Sequence, residues 1–345
     1  MRLDALQRLG HTVVGVDTTS SRGGMRSIWA RIARKAGWAI DTAGANRAVL
    51  EVAKQRQLDV VWVDKGLTIR PQTLIRLRTM VPGVQLVHYS LDDMSGKHNQ
   101  SRGYLGGIPL YDLHATNKSY NVAELREMGA RAVLFVDNAF CPRSHHPVSM
   151  SKEQRRRLGG SVGFIGAFEQ ERAEAIWFLV THGISVRVWG EGWGVGWRKW
   201  AASHRNAFLS VEDRAVFGED YAKAICSFEI NLCFLRKLNR DLQTTRSIEI
   251  PACGGFMLAE RTAEHQRLLK EGAEVELFAS HEELLAKCRY YLSHEEDRLR
   301  IAAAGHDRCL SSDYSYDRQL QKVLKQLEKR TTDEYWQPPS ATCWV

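Results

Sequence analysis

The sequence predicts an α/β protein built from two domains, and three observations carry that prediction. Short apolar runs of strand length alternate with helix-period segments along most of the 345 residues, the pattern of βαβ units. Residues 59–63 (DVVWV) are apolar after the first position, as a strand covered on both faces of a parallel sheet requires. A chain of this length readily buries two cores. Residues 141–160, polar and basic with Pro142 and Pro147, divide it.

Taken in order, residues 1–9 (MRLDALQRL) read as a helix closed by Gly10, and 12–16 as a strand. Residues 18–40 hold five basic residues and no acid. On a helix, Met25, Ile28, Trp29, Ile32 and Ala36 share one face, opposite Arg31, Arg34 and Lys35. Such a helix either lies on an anionic membrane or packs on a sheet with a solvated basic face. Another helix covers 45–55, and Pro71 opens one over 71–78. Residues 84–88 form a strand that ends in the polar loop HYSLDDMSGKHN. Ligands of α/β sheets sit at strand carboxyl ends, so His88, Asp92 and Asp93 are candidates for substrate contact or general-base work. The other reading is a solvated loop with an Asp capping a turn. Strands over 111–115 and 132–136 flank a helix over 119–128, which TNKS (116–119) caps.

The second half opens with SVGFIGAF, a strand ending in Gly166, followed by a helix over 169–180 and a strand over 184–189. Trp189, Trp193, Trp197 and Trp200 offer stacking surfaces for a sugar or base, or else fill the core. A loop and helix over 216–227 precede a strand over 228–233. Ser280 and Glu283 form a capping box for a helix bearing Leu284, Leu285, Cys288 and Leu292. Residues 295–309 are helical, ended or kinked near Gly305, and 314–329 form the last helix before an irregular tail.

Composition narrows the function classes. With 44% hydrophobic and 26% charged residues, the chain reads as globular and soluble. No run approaches the roughly 18 apolar residues of a membrane span, and the N-terminus lacks the apolar core of a signal peptide. Seven scattered Cys without a CxxC pair argue against a disulfide framework or zinc site, and for a reducing cytoplasm. The formal charge of +8 suits an anionic ligand or a membrane surface. No helix-turn-helix, zinc or ribonucleoprotein signature points to a specific nucleic acid.

The densest chemistry lies in DLQTTRSIEIPACGG, residues 241–255, where seven residues separate Asp241 from Glu249. Pro251 breaks a helix running through it or sits in a first turn; Gly254 and Gly255 read as a stop before the strand Phe256, Met257 and Leu258. A short helix feeding a parallel strand puts Arg246 and Glu249 near its N-terminal end, where free N–H groups favour phosphate. The alternative is an ordinary charged turn. Arg236, Lys237, Arg240 and Arg246 crowd the two acids, suiting the compact charge of a diphosphate, or forming a solvated basic loop.

RSIEIPACGG resembles the donor-site motif of GT-B glycosyltransferases, and is nearest to the bacterial CgeB-like spore-maturation glycosyltransferases. The similarity continues through VELFASHEELLAKCRYYLSHEEDRLRIAAAGHDRC and, more thinly, through the N-terminal half. It implies two Rossmann-like domains facing across a cleft. Residues 1–145 would bind the acceptor, 146–160 link, 161–312 bind the nucleotide-sugar donor, 313–330 cross back as a helix, and 331–345 trail. Because GT-B proteins open with a strand and a glycine-bearing loop, the N-terminal domain is expected to lack its first strand.

The resemblance also assigns roles. Glu249 matches the acid that takes the nucleotide ribose, and Asp241 stands where a Glu usually contacts the donor sugar. Gly166 closes the domain's first strand. Ala167 replaces the Arg that usually follows, and Arg172 stands near the place of a diphosphate-binding Lys. Phe217, Gly218 and Tyr221 lie on the loop beside which the nucleobase sits. Lys237, Arg240, Thr245 and Arg246 complete the donor site. CgeB-like proteins often carry an Asp pair at the place of Asp92 and Asp93. The implied reaction moves a sugar from a nucleotide-diphosphate sugar to a glycan, lipid-linked or protein acceptor, with retention. No Asp-x-Asp motif accompanies the donor site, so neither metal nor cofactor is expected, the basic residues taking a cation's place. Inversion would instead need a base such as Asp92, Asp93 or His88. Other readings are a nucleotide-sugar epimerase or hydrolase of the same fold, or an inactive protein binding a nucleotide sugar or an anionic surface. The expected location is the cytoplasm, with peripheral contact at the inner face of the membrane through residues 22–38.

Overall fold

The computed structural model describes residues 1–18, 37–190, 196–212 and 214–333. It divides into two compact units: Asn138–Tyr316, and Arg2–Asp137 together with the chain from Asp317 onward. As the alternating pattern predicts, each unit is α/β around a parallel sheet.

The unit that contains most of the N-terminal chain holds α1 (Arg2–Arg8), α2 (Ala45–Gln55), β1 (Val60–Asp64), α3 (Pro71–Met80), β2 (Gln85–Ser90), α4 (Arg102–Gly107), β3 (Leu113–Thr116), α5 (Asn121–Glu127) and β4 (Val133–Phe135). Its strands pair in parallel in the order β1-β2-β3-β4. Every β2 residue after Gln85 is buried, because helices cover both faces of such a sheet. Val61, Val63, Leu74, Leu77 and Leu86 fill the core. The last helix, Tyr316–Asp333, puts most of its length in this unit. Its Gln319 Oε1 accepts the Asp137 N–H at 3.1 Å, and its Leu327 carbonyl accepts a Gln85 amide N–H at 3.1 Å.

Two local expectations fail here. Residues 12–16 pair with no strand among the described residues; their β-branched composition fits a strand, but a strand needs a ladder partner. The TNKS segment does not cap α5. Tyr120 occupies the N-cap in a helical conformation without a side-chain bond, and Thr116 Oγ1 instead accepts the Lys118 N–H at 3.1 Å. The basic segment 22–38 lies, apart from its last two residues, outside the described residues.

The other unit carries α6 (Lys152–Leu158), β5 (Gly160–Ile165), α7 (Gln170–Thr181), β6 (Val186–Trp189), α8 (Gly196–Ser203), β7 (Leu209–Glu212), α9 (Gly218–Ser227), β8 (Phe228–Cys233), α10 (Arg246–Ala252), β9 (Met257–Glu260), α11 (Ala263–Leu268), β10 (Glu276–Phe278), α12 (His281–Ser293) and α13 (Glu295–Ser311). All its strands are parallel, in the order β10-β9-β8-β5-β6-β7. The chain lays down β5, β6 and β7 in one direction, then returns to place β8 on the other side of β5. That doubly wound order creates a switch point between β5 and β8.

Several boundaries differ from expectation for visible reasons. Within the stretch read as a linker, α6 forms behind a complete capping box of Ser151 and Gln154. Pro251 lies near the end of the seven-residue α10. There its missing N–H removes one bond only, and the helix stops a residue later. Gly305 does not end α13: its Cα faces the Glu274 carbonyl so closely that a Cβ would sit 2.4 Å from that oxygen, so the glycine serves packing. Trp189, Trp197 and Trp200 are buried in the core, and Trp193 lies outside the described residues.

Candidate functional site

The carboxyl ends of β5 and β8 bring together residues from three loops. Phe164, fully buried near the end of β5, is the floor. The guanidinium carbons of Arg172 and Arg246 stand 5.7 and 6.0 Å from its ring centroid. Arg172, in the first turn of α7, donates from Nη1 to the Ala167 carbonyl at 3.0 Å. Arg246, the first residue of α10, approaches Thr244 Oγ1 at 3.5 Å. The Nε atoms of both are buried without a hydrogen-bond partner. Burial first, and the neighbouring Arg246 charge second, push Arg172 down to about 10, against the pull of Glu169 and Asp241. Two cations on one ring, poorly hydrated and incompletely neutralised, form a place for an anion.

Arg236 and Lys237 stand in closer ion pairs than Arg172, whose Nη2 lies 3.8 Å from Glu169 Oε2, although Arg236 Nε also lacks a hydrogen-bond partner. Arg236 Nε lies 2.9 Å from Glu169 Oε1, and Lys237 pairs with Glu260. Glu260 also accepts the Leu235 N–H at 2.8 Å. Arg240, exposed, closes the short 3-10 turn Lys237–Asn239 in the left-handed region (φ 49). Asp241 ties this loop back on itself: its N–H reaches the Arg236 carbonyl at 3.1 Å, and its Oδ2 accepts the Arg236 N–H at 3.4 Å. Thr245 precedes α10 and accepts the Glu249 N–H through its carbonyl at 2.9 Å. Gly166 is crossed closely by the backbone at Gly190, where a Cβ would lie 2.0 Å from the Gly166 oxygen. That oxygen also accepts the Trp197 indole N–H at 2.9 Å.

Glu249 is mostly buried, and Tyr221 donates its hydroxyl to Oε2 at 2.6 Å. Oε1 faces His145 Nε2 at 3.9 Å. Tyr221 and Arg246 line one cavity with Ile165, Ile225, Asn231 and Ile250, so the Glu249 and Phe164 groups adjoin. The space between them is too small to admit a water. Phe217 is 79% exposed at the N-cap of α9, and Gly218 follows with φ +57, one turn before Tyr221.

A second network steadies the start of α10. Ser247 donates to His265 Nε2 at 2.7 Å, and His265 Nδ1–H donates to the Glu260 carbonyl at 2.6 Å. Ser247 Oγ accepts the Thr244 N–H at 2.9 Å. Burial pushes His265 below its ordinary pKa, which keeps Nε2 an acceptor.

His88, Asp92 and Asp93 belong to the other unit, and two of them need correction. β2 runs on to Ser90, so His88 is an interior strand residue rather than a loop residue. It donates from Nε2 to the Lys65 carbonyl at 3.2 Å and packs 5.0 Å from the His114 ring. Burial, then His114, push it down to about 3, too acidic for a general base near neutrality. Asp93 is buried, and its Oδ1 accepts from Asn121 Nδ2 at 2.9 Å, Ser95 Oγ at 3.1 Å and the Gly96 N–H at 3.1 Å. It holds a loop together. Asp92 remains partly exposed and pairs with Lys65 at 2.6 Å.

Sequence reasoning missed His145, Phe164, Glu169, Glu260 and His265. His145 looked like linker, and Phe164 like any core residue. Glu169, three residues before Arg172 at a helix start, left a readable signal.

Residues 172–325 match the family model described as glycosyl transferase-like. No curated protein matches the sequence. Among solved structures, HepE of Anabaena with UDP and glucose is 12% identical over 84% of this chain and 83% of that one, with a TM-score of 0.61. Sucrose-phosphate synthase of Thermosynechococcus elongatus is 11% identical over 95% and 92%, with a TM-score of 0.68. A putative UDP-N-acetylglucosamine 2-epimerase of Listeria monocytogenes is 12% identical over 84% and 78%, with a TM-score of 0.51. At these identities the likeness establishes the fold: two Rossmann-like domains of the GT-B class.

Proposed function

We propose that the protein is a glycosyltransferase of the CgeB-like type, moving a hexosyl group from a nucleotide-diphosphate sugar to a glycan, lipid-linked or protein acceptor. The observation that carries this reading is the pair Arg172 and Arg246 on Phe164, beside the β5–β8 switch point, with buried Nε–H groups lacking acceptors. A diphosphate supplies acceptors and charge of the right sign. As the glycosidic bond breaks, the leaving diphosphate gains negative charge. Fixed, poorly hydrated cations stabilise that charge more in the transition state than in the ground state. In this mechanism the arginines take a metal's place, Glu249 receives the ribose hydroxyls, and Asp241 the sugar hydroxyls. Retention, a cytoplasmic site of action and membrane contact through residues 22–38 belong to the same proposal. The Anabaena protein's complex with UDP makes UDP-sugars the first donors to try.

The test is a thermal-shift screen of nucleoside diphosphates and their sugars. A ligand at about 100 times its Kd adds roughly 2.7 kcal/mol, and Glu249→Ala should remove that gain. A screen without any shift would sink the proposal. The likeness to a putative epimerase favours a second reading, epimerase or hydrolase, which product analysis without acceptor would expose.

A further inference from the structure

We infer that Tyr221 and His145 are positioning residues that hold the Glu249 carboxylate in one orientation, so that it selects ribonucleotides over deoxyribonucleotides. The inference rests on the donor-site reading above and goes beyond it by naming what aims the acid. Glu249 sits on α10, and its carboxylate is nearly buried. A freely rotating carboxylate would discriminate weakly, because a hydroxyl could be replaced by water at little cost. Here one oxygen is held by a hydrogen bond and the other faces a buried ring.

On one side, the Tyr221 hydroxyl donates to Oε2 at 2.6 Å. Tyr221 comes from α9, a different element, so the bond pins α9 to α10. Burial first, then the Glu249 charge, push the phenol far above its ordinary pKa, which keeps it a donor. On the other side stands His145, buried and packed edge-on against Tyr221 at 5.7 Å between ring centroids. Its Nδ1 accepts the Cys141 N–H at 3.1 Å. That bond fixes the neutral tautomer, with the proton on Nε2, and Nε2 faces Oε1 across 3.9 Å. The gap exceeds a hydrogen bond. Oε1 is therefore not saturated by His145: the buried ring limits its swing by contact and by the Nε2–H dipole, and Oε1 retains lone pairs for a ligand hydroxyl. Burial lowers the His145 pKa while Glu249 raises it and His146 lowers it further, so the imidazole is neutral near pH 7.

The experiment measures Kd for matched pairs, UDP against 2′-deoxy-UDP and 3′-deoxy-UDP, with the GDP, ADP and CDP pairs in parallel; the tightest pair is followed. Wild type should prefer the ribonucleotide by about tenfold or more, the worth of a hydrogen bond to a charged group. Tyr221→Phe and His145→Ala should shrink that ratio toward one, and His145→Gln, which keeps an N–H donor, should restore much of it. A merely structural role would weaken ribo and deoxy ligands equally and leave the ratio intact. If Glu249→Ala loses the preference while Tyr221→Phe and His145→Ala keep it, the inference falls and the donor-site reading survives. If Glu249→Ala keeps it, or wild type binds no pair, the donor-site reading falls as well.

Discussion

The two units end their strands in charged loops of opposite economy. After β2, Asp92 is paired with Lys65, and Asp93 is engaged by Asn121, Ser95 and Gly96. After β5 and β8, Lys237 is paired with Glu260, but the Nε atoms of Arg172, Arg236 and Arg246 are all buried without a hydrogen-bond partner, and Glu169 alone serves both Arg236 at 2.9 Å and Arg172 at 3.8 Å. Polar residues at a strand's carboxyl end thus do not mark a site by themselves. An unmet hydrogen-bonding need there does, because a fold retains such a cost where something else meets it.

The comparison breaks most visibly in acid. Burial pushes His88 down to about 3 and His114 down to about 4, whereas an unfolded imidazole titrates near 6.5. Their folded pKa values are depressed, so the unfolded chain takes up protons first. The stability they lend is whole above pH 6.5 and drains as pH falls toward the folded values. The loss should reach on the order of 3 kcal/mol for each of the two by pH 4, read from denaturant unfolding at several pH values. If replacing both residues with Gln left the slope unchanged, the interior reading of His88 would be wrong.

Asp93→Ala should cost about 2 kcal/mol and lower Tm while nucleotide affinity holds, since it removes three bonds to Oδ1 although Asn121 Nδ2 keeps Glu124 Oε2 and the Gly96 N–H keeps the residue-93 carbonyl. Asp92→Ala should stay within about 1 kcal/mol, as for a partly exposed ion pair. An Asp93→Ala protein that folds normally yet transfers no sugar would move Asp93 from scaffold to chemistry.

Arg172→Ala and Arg246→Ala should do the reverse. Each should weaken nucleoside diphosphate binding by about 2 kcal/mol, roughly 30-fold. The ligand-free Tm should hold or rise, because an incompletely matched buried charge is removed. Calorimetric titration beside thermal melts checks both halves. A fall in ligand-free Tm with affinity unchanged would make these arginines structural, and would erase the contrast between the units.

Much of the architecture was readable from local pattern. Strand 228–233 and helix 45–55 match their predicted spans, because period and turn residues act over a few positions. Residues 12–16 failed because pairing is non-local. Gly305 does not end its helix as the residue type suggested, because it makes room for the passing Glu274 backbone. The candidate site was legible where its residues cluster in sequence, as from Asp241 to Glu249. His145 was not, since it lies 104 positions from Glu249 by their numbers (249 − 145) and nothing in its own neighbourhood marks it.

What the amino-acid order settled alone was the α/β class with its strand–helix alternation, and the acid–cation segment between Asp241 and Glu249. Those follow from periodicity, turn chemistry and residue type, which are local. Tertiary structure alone decided which charges remain unmatched, because desolvation and pairing depend on neighbours that arrive from elsewhere in the chain. Phe164, Arg172 and Arg246 meet only when β8 returns beside β5. Only then do two arginines share one aromatic floor.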